Sequence, residues 1–278
     1  MSHSFYIICL SDKLPRKLCY TLDKDRRANM KWNANLYDSK HDFVAAYGKG
    51  LLSYLPSNKQ AKILDLGCGT GTLTDEISKT YPNIMGIDGS KEMIAKAKAA
   101  YPTLNFEVVD ALNMTDDSQW DIVFSNAVFH WIPDHDQLLH AIKKSLNSNG
   151  QLICEFGGFG NIATIEQAFK TLLVSKGYTY TSRFNFPTAE NFGELLEKNG
   201  FDIELLVLYD RPTVLKDQEK GLYNWASQFF DTDLAKFSHS EQDSILTELE
   251  DLVRRQLWHE DHWEADYRRL RAVAHLKA

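Results

Sequence analysis

The hydrophobic positions of this chain change period repeatedly, and the changes predict the order of its elements. Short, mainly apolar runs predict β-strands at 62–66, 84–88, 105–109, 120–125 and 151–156. Apolar residues at helical spacing predict α-helices at 72–80, 91–100 and 137–146, with Asn149-Gly150 expected to end the last. Strands alternating with helices predict a parallel sheet covered on both faces. Ligands are expected at the carboxyl ends of its strands.

The second half of the chain has a different pattern. Helices are predicted there at 162–175 and 188–199, and strands at 201–209 and 267–276, while a further helix is predicted at 43–55, before the first strand of the sheet. Aromatic residues at helical spacing fill the stretch between the last two strands and predict an inserted cap. The predicted domains are an extension or arm at 1–29, a core at 30–211 and 264–278, and a helical cap on the substrate side at 212–263. One hypothesis is that Met30 is the natural start; the alternative is an ordered arm over the site.

Composition narrows the classes of function. The 278 residues are 44% hydrophobic and 25% charged, as in a globular enzyme, and 38 acidic against 31 basic residues give a net charge of -7. An acidic chain has no general attraction to nucleic acid or anionic membranes, so neither is expected as a partner. The four cysteines form no C-x-x-C pair, and no signal peptide or membrane-spanning run is visible. We expect a cytoplasmic monomer or homodimer with reduced thiols.

Three alternating glycines follow the first strand of the predicted sheet. Gly67, Gly69 and Gly71 permit left-handed backbone angles and close approach of a ligand to the main chain. The spacing is G-x-G-x-G, whereas a dinucleotide fold prefers G-x-G-x-x-G, and Thr72 occupies the position after Gly71. This spacing makes pyrophosphate binding, and with it a dehydrogenase, less favoured.

Acidic residues lie at the ends of the next two strands. Asp88 can accept hydrogen bonds from both hydroxyls of a ribose, and Asp110, beside Ala111, can accept one from the exocyclic amine of adenine. The alternative for each acid is a helix N-cap or a solvated turn. Acids at consecutive strand ends favour binding of an adenosine-type cofactor.

These motifs resemble the class I S-adenosylmethionine-dependent methyltransferases. The resemblance covers about 32–160 and the last strand, and rests on 65–71, Asp88, Asp110-Ala111 and 121–131; residues 125–131 are similar to the trans-aconitate and malonyl-carrier branches. It implies a Rossmann-like α/β fold of seven mostly parallel strands, the last one antiparallel. It also implies S-adenosylmethionine as cofactor, with contacts from the following residues: Asp65, Gly67, Cys68, Gly69, Gly71, Asp88, Asp110, Ala111, Asn126, Trp32 and Trp131.

The candidates for the chemistry follow from this cofactor. Methyl transfer from a sulfonium requires alignment and exclusion of water but no metal and no nucleophilic serine. His130 is a candidate base or donor to the acceptor, and Tyr37 and Trp32 are expected to close over the methionine end. Arg211 is the candidate for binding an anionic acceptor. Packing is the alternative for the first three, and a surface turn paired with Asp210 for Arg211.

The sequence thus predicts a methyltransferase for a small-molecule acceptor, with a carboxylate as one candidate. The alternatives are a non-catalytic protein that binds the cofactor or a partner, and a protein methyltransferase. The sequence carries no signature that identifies the acceptor.

Overall fold

One eight-stranded sheet runs through the protein. The computed structural model describes residues 8–9, 49–114 and 118–277. In chain order the strands are β1 (Ile8–Cys9), β2 (Ile63–Leu66), β3 (Ile84–Asp88), β4 (Asn105–Val108), β5 (Trp120–Asn126), β6 (Leu146–Gly157), β7 (Phe201–Asp210), β8 (Thr213–Val214), β9 (Trp258–His259), β10 (His262–Ala265) and β11 (Arg268–Leu276). The large sheet has the order β1-β7-β11-β6-β5-β2-β3-β4. Only the pairs made by β11, with β6 and β7, are antiparallel. The predicted seven strands with an antiparallel last strand are therefore confirmed, and the short β1 adds an edge.

Helices cover both faces of the sheet and build the cap. They are α1 (Thr72–Ser78), α2 (Lys91–Ala100), α3 (His135–Ser145), α4 (Ala163–Ser175), α5 (Ala189–Lys198), α6 (Gly221–Phe229), α7 (Asp231–Leu234) and α8 (His239–Leu257). Short 3₁₀ turns lie at Lys49–Tyr54, Ala111–Asn113, Phe129–Trp131 and Gln218–Lys220. Side-chain caps explain several helix starts: the Ser90 hydroxyl accepts from the Met93 N–H, and Ser238 with Glu241 forms a capping box.

The turn after α3 differs from the sequence-based expectation. Asp134 caps the helix, which ends at Ser145, and the chain enters β6 at Leu146. Asn149 has φ +70° and lies in an irregular part of β6, where the pairing with β5 shifts register. The prediction that Asn149-Gly150 ends the helix is therefore wrong, because the left-handed residue serves a bulge inside the strand.

The segment that was predicted as a cap contains strands as well as helices. Its helices α6 to α8 pack with the small sheet β8-β10-β9, which was not predicted. The same hydrophobic cluster includes Ile165, Phe169 and Leu173 of α4, which lies before the predicted cap. The helix therefore contributes its buried face to the cap core, and its amphipathic pattern alone did not indicate which neighbour it covers.

Several predicted elements and site residues lie outside the residues that the structure describes. The arm at 1–29, apart from β1, lies outside the described residues, as do Trp32, Tyr37 and most of the helix predicted at 43–55. Within the described ranges no helix is long and apolar enough to cross a bilayer. The same residues contain no group of three or more His, Cys, Asp or Glu side chains that could hold a metal.

Candidate active site

The glycine-rich loop joins β2 to α1 in a left-handed path. Gly67, Gly69 and Gly71 have φ of +76°, +56° and +84°, angles that residues with a Cβ rarely adopt. A Cβ on Gly67 would overlap Val128, whereas a Cβ on Gly69 would meet nothing within 4 Å. Val128 therefore packs against one side of the loop at Gly67, whereas the backbone at Gly69 faces open space.

Asp88 connects this loop to the end of β3. Its Oδ2 accepts a hydrogen bond from the Gly69 N–H at 3.0 Å, and its Oδ1 accepts one from the Ser90 N–H at 2.8 Å. Burial raises the pKa of Asp88, and these two donors oppose that rise. A Cβ on Gly89 would also meet open space. A fixed carboxylate beside two open backbone positions fits a ligand that presents hydroxyl groups.

Asp110 lies at the start of the short turn after β4. Its carboxylate accepts from the Leu112 N–H and from the Asn113 side-chain amide, each at 3.0 Å. Asp110 is thus an N-cap, the local alternative raised from the sequence, and the capping bonds fix the direction of its carboxylate. Ala111 is the first residue of that turn.

Asp65 and Cys68 point inward rather than toward the open side of the loop. Asp65 is 2% exposed and accepts a 2.6 Å hydrogen bond from the Thr74 hydroxyl, which connects β2 to α1. Burial raises the Asp65 pKa to about 7. The Cys68 thiol is packed with Ile94 and Phe106, and burial raises its pKa above the ordinary range. Cys68 can therefore offer a ligand only its backbone.

His130 lies in the 3₁₀ turn that follows β5 and Ala127, a residue with φ +62°. Its ring is 8% exposed, and its Nδ1 accepts a hydrogen bond from the Gly157 N–H at 3.2 Å. In a neutral imidazole the other nitrogen, Nε2, then carries the proton. Burial, followed by the charge of Arg269, holds the pKa of His130 well below its ordinary value. This histidine is arranged to donate a hydrogen bond, not to accept a proton.

A cleft opens beside His130, between the carboxyl end of the sheet and the cap. It encloses about 450 Å³ of empty space, its open mouth included. Aromatic rings from the β5 loop, from the segment before α5 and from α6 form most of its wall. The described lining residues are Ala127, His130, Trp131, Asn161, Ile162, Phe184, Phe186, Trp225, Phe229, Tyr267 and Arg269.

Arg211 lies outside this lining. Its guanidinium is bound to Glu155 and to the Tyr209 hydroxyl. Glu155 is 1% exposed and also accepts a 2.7 Å hydrogen bond from Nε of Arg271. The structure therefore pairs Arg211 with a buried carboxylate instead of the neighbouring Asp210, which is paired with Arg268.

Arg269 is the cation that sequence reasoning missed. It is 6% exposed, lines the cleft, and lies opposite Gly157 in the pairing of β11 with β6. A signal was present: 267–276 was predicted as the last strand of the sheet, and arginines in a buried strand need a partner or a ligand. Other lining residues that were not predicted reach the site through long-range packing; they are Ala127, Asn161, Ile162, Phe184, Phe186, Trp225, Phe229 and Tyr267.

Comparison with known proteins supports the class of protein that this fold indicates. Residues 64–154 match the family model described as a methyltransferase domain. The chain is 28% identical over 267 residues to an uncharacterized methyltransferase of Schizosaccharomyces pombe, covering 88% of this chain and 97% of that protein. It is 35% identical over 126 residues to the trans-aconitate 2-methyltransferase of Deinococcus radiodurans, covering 44% of this chain. That second match spans about half, 48%, of the relative's length.

Solved structures show the same fold at low sequence identity. A candidate methyltransferase of Bacillus halodurans superposes with a TM-score of 0.61 at 13% identity, covering 83% of this chain and 98% of that one. The Haemonchus contortus phosphoethanolamine N-methyltransferase 2, solved with S-adenosylhomocysteine, gives 0.53 at 20% identity, covering 84% of this chain and 52% of that one.

The glycine loop, the acids at the strand ends and the sheet order resemble those of class I methyltransferases, and residues 64–154 match a methyltransferase domain. The protein is an S-adenosylmethionine-dependent methyltransferase. Its cofactor is S-adenosylmethionine.

Proposed function

We propose that this enzyme methylates an ionised carboxylate of a small molecule bound in the aromatic cleft. One observation carries the proposal: the described lining offers hydrogen-bond donors and a cation but no aspartate or glutamate. A hydroxyl acceptor needs a base within hydrogen-bond reach, whereas a carboxylate has lost its proton at neutral pH. The cleft is therefore suited to an acceptor that needs no deprotonation.

The residues around the glycine loop fit the cofactor. In this proposal the backbone at Gly67, Gly69 and Gly71 lies against it, Asp88 binds the ribose hydroxyls, and Asp110 with Ala111 contacts the adenine. The proposal assigns Asn126, at the end of β5, and Trp131, in the turn after it, to the methionine end. Trp32 and Tyr37 keep their sequence-based assignment to that same end.

The protein's part in the reaction is binding, orientation and exclusion of water. When bound, the sulfonium offers a methyl group whose transfer leaves the C–S electron pair on a neutral thioether, while an acceptor oxygen forms the new O–C bond with its own lone pair. His130 donates its Nε2–H to the carboxylate and thereby fixes which oxygen faces the methyl group. Alignment of this kind can lower a barrier by about 7 to 11 kcal/mol. The rings of Trp131 and Phe229, stacked with centroids 6.0 Å apart, help to keep water out.

Transfer of a labelled methyl group tests the proposal. Purified protein with labelled S-adenosylmethionine and a panel of small carboxylic acids should give products that lose their label in mild base, as methyl esters do. The rate should be flat from pH 6.5 to 8.5, because the acceptor is ionised and His130 is neutral throughout that range.

Other results would favour the alternatives. Base-stable label on a small molecule, with a rate that rises with pH, would indicate an oxygen or nitrogen acceptor that must lose a proton. Label on polypeptide would make the enzyme a protein methyltransferase. Tight cofactor binding without transfer to any acceptor would indicate a non-catalytic binder.

A further inference from the structure

Three polar side chains of the aromatic cleft provide hydrogen-bond donors that lie close enough together to bind one small anion. His130 presents Nε2–H, as its bond from Gly157 requires. Asn161 accepts the Arg268 N–H through Oδ1 at 2.9 Å, so its amide NH₂ is the end left for the cleft. A Cβ on Gly157 would lie 2.9 Å from that Nδ2, which places the amide directly over Gly157. Arg269 lies across the strand pair from the same glycine.

Arg269 differs from its neighbours in how its charge is balanced. Arg211 and Arg271 share the buried carboxylate of Glu155. Among the residues that the structure describes, no carboxylate forms an ion pair with Arg269, whose guanidinium lies 4.5 Å from the centroid of the Tyr267 ring. Burial lowers the pKa of Arg269, and the nearby charge of Glu155 only partly opposes this, so a guanidinium that is 6% exposed and forms no ion pair with a described carboxylate is costly to hold and an anionic ligand would reduce that cost.

The rest of the cleft wall is apolar and consists mainly of aromatic side chains. Phe184 and Phe186 stack with centroids 5.2 Å apart, and Trp225 contacts Phe229 at 4.7 Å. Trp131 lies against Phe184 at 4.9 Å. Such rings bind flat apolar groups well and offer nothing to a second carboxylate, which would lose its water without gaining donors.

The number of donors therefore decides the class of acceptor. A carboxylate has two oxygens with about four lone-pair sites, so one donor each from His130, Asn161 and Arg269 binds three of them and leaves one lone pair to form the O–C bond. We propose that the acceptor is an aromatic or conjugated monocarboxylate, with its carboxylate on Arg269, Asn161 and His130 and its flat body among the cleft rings. This inference rests on the proposed carboxylate methylation, and it departs from the polyanionic acceptor named in the trans-aconitate relatives.

Equilibrium binding tests this proposal independently of turnover. The full chain saturated with S-adenosylhomocysteine is titrated by calorimetry with trans-cinnamate, its neutral amide trans-cinnamamide, and trans-aconitate. We expect cinnamate to bind at least about 10-fold more tightly than either of the others, as a charge-assisted contact in a buried site should produce. The ratio of cinnamate to cinnamamide affinity is unaffected by the fraction of protein that is folded.

Variants assign the anion preference to one side chain. In Arg269→Gln the cinnamate to cinnamamide ratio should fall to about 2 or less, and Arg269→Lys, which keeps the charge, should restore part of it. Arg268→Gln is the matched control, because the Arg268 side chain pairs with Asp210 and does not line the cleft. An unchanged ratio in Arg269→Gln would overturn the assignment of Arg269, and tighter binding of aconitate than of cinnamate would overturn the monocarboxylate class.

A parallel transfer assay separates the two proposals. If cinnamate binds in the expected order while no acid of the panel forms a methyl ester, the anion site at Arg269, Asn161 and His130 would be supported and carboxylate methylation would be removed. Methyl esters of other acids, with no binding of cinnamate, would keep carboxylate methylation and remove this inference.

Discussion

Nδ1 of His130 accepts a hydrogen bond from the backbone N–H of Gly157, and this one contact fixes what the histidine can do. It joins the loop after β5 to the end of β6, beneath the cleft. Since Nδ1 is occupied and burial keeps the ring neutral, Nε2–H is the ring donor left for a ligand in the cleft that His130 lines. The same contact therefore selects the tautomer and the direction of the donor.

Removing that donor should slow methyl transfer. We expect His130→Ala to lower kcat/KM by about 10- to 100-fold, the range for losing one hydrogen bond to a charged group. His130→Gln should stay within a few fold of the parent, because its amide can accept from Gly157 and donate to the acceptor. Steady-state kinetics check this, with exposed His140→Ala on α3 as the control. Equal losses in the Ala and Gln variants would contradict the donor role.

Asp88 should govern cofactor affinity. S-adenosylhomocysteine at about 100 times its dissociation constant should stabilise the protein by about 2.7 kcal/mol. Asp88→Ala should remove most of that gain, because the ribose loses its acceptor and the Gly69 N–H loses its partner. Denaturant titration with and without the ligand measures the gain within each variant, so a change in basal stability cancels. Asp75→Asn, in the first turn of α1, is the control and should keep the full gain.

Asp65 should make stability depend on pH in an unusual direction. Its pKa is about 7 in the folded protein against 3.8 as the reference, so the folded state binds the proton more tightly. That contribution is fully present below pH 3.8 and is lost as the pH rises to about 7. The free energy of unfolding of the parent should therefore fall relative to Asp65→Asn by about 4 kcal/mol between pH 4 and pH 7.

Urea unfolding of both proteins at several pH values checks this. Asparagine can still accept from the Thr74 hydroxyl, so the difference between the two curves isolates the charge. Parallel curves would mean that Asp65 titrates as an ordinary acid. Surface Asp202→Asn serves as the control and should run parallel to the parent.

Glu155 should be essential for stability although it lies outside the cleft. Glu155→Gln leaves the partly buried Arg211 and Arg271 without their shared, fully buried charge partner, and we expect a loss of about 3 kcal/mol in the free energy of unfolding. Asp136→Asn breaks the surface pair with Lys198 and should cost only a small part of that. Denaturant unfolding compares the two, and equal losses would show that the buried cluster is not held by Glu155.

The elements that could be predicted are those specified locally. The Ser90 cap and the apolar spacing of Met93, Ile94 and Ala97 are contained within one turn or two, and the prediction of 91–100 matches α2. The helix predicted at 72–80 corresponds to α1, and the strand at 84–88 to β3. Such elements carry their start signals and their buried faces in adjacent residues.

The residues that line the cleft could not be predicted from local sequence in the same way. Arg269 lies opposite Gly157 only because β11 inserts between β6 and β7 in one register, and the two residues are far apart in the sequence. Arg211 was predicted as the anion-binding residue because it follows a strand end. Its pairing with Glu155, which Arg271 shares, depends on the adjacent positions of β6, β7 and β11. The order of the strands in the sheet thus decides which arginine faces the cleft, and the local sequence pattern does not predict it.

Tyr267, which lies between the cap and the sheet, limits how the substrate specificity of this enzyme can be changed by exchanging the cap. Tyr267 belongs to the cap core, bonds to the indole of Trp225 at 2.7 Å, and supports the guanidinium of Arg269 with its ring. A graft that exchanged the cap for that of a relative would therefore have to bring its own strand junction along. Without that junction, the guanidinium of Arg269 would lose its contact with the Tyr267 ring, and the proposed anion site would be weakened while the acceptor range changed.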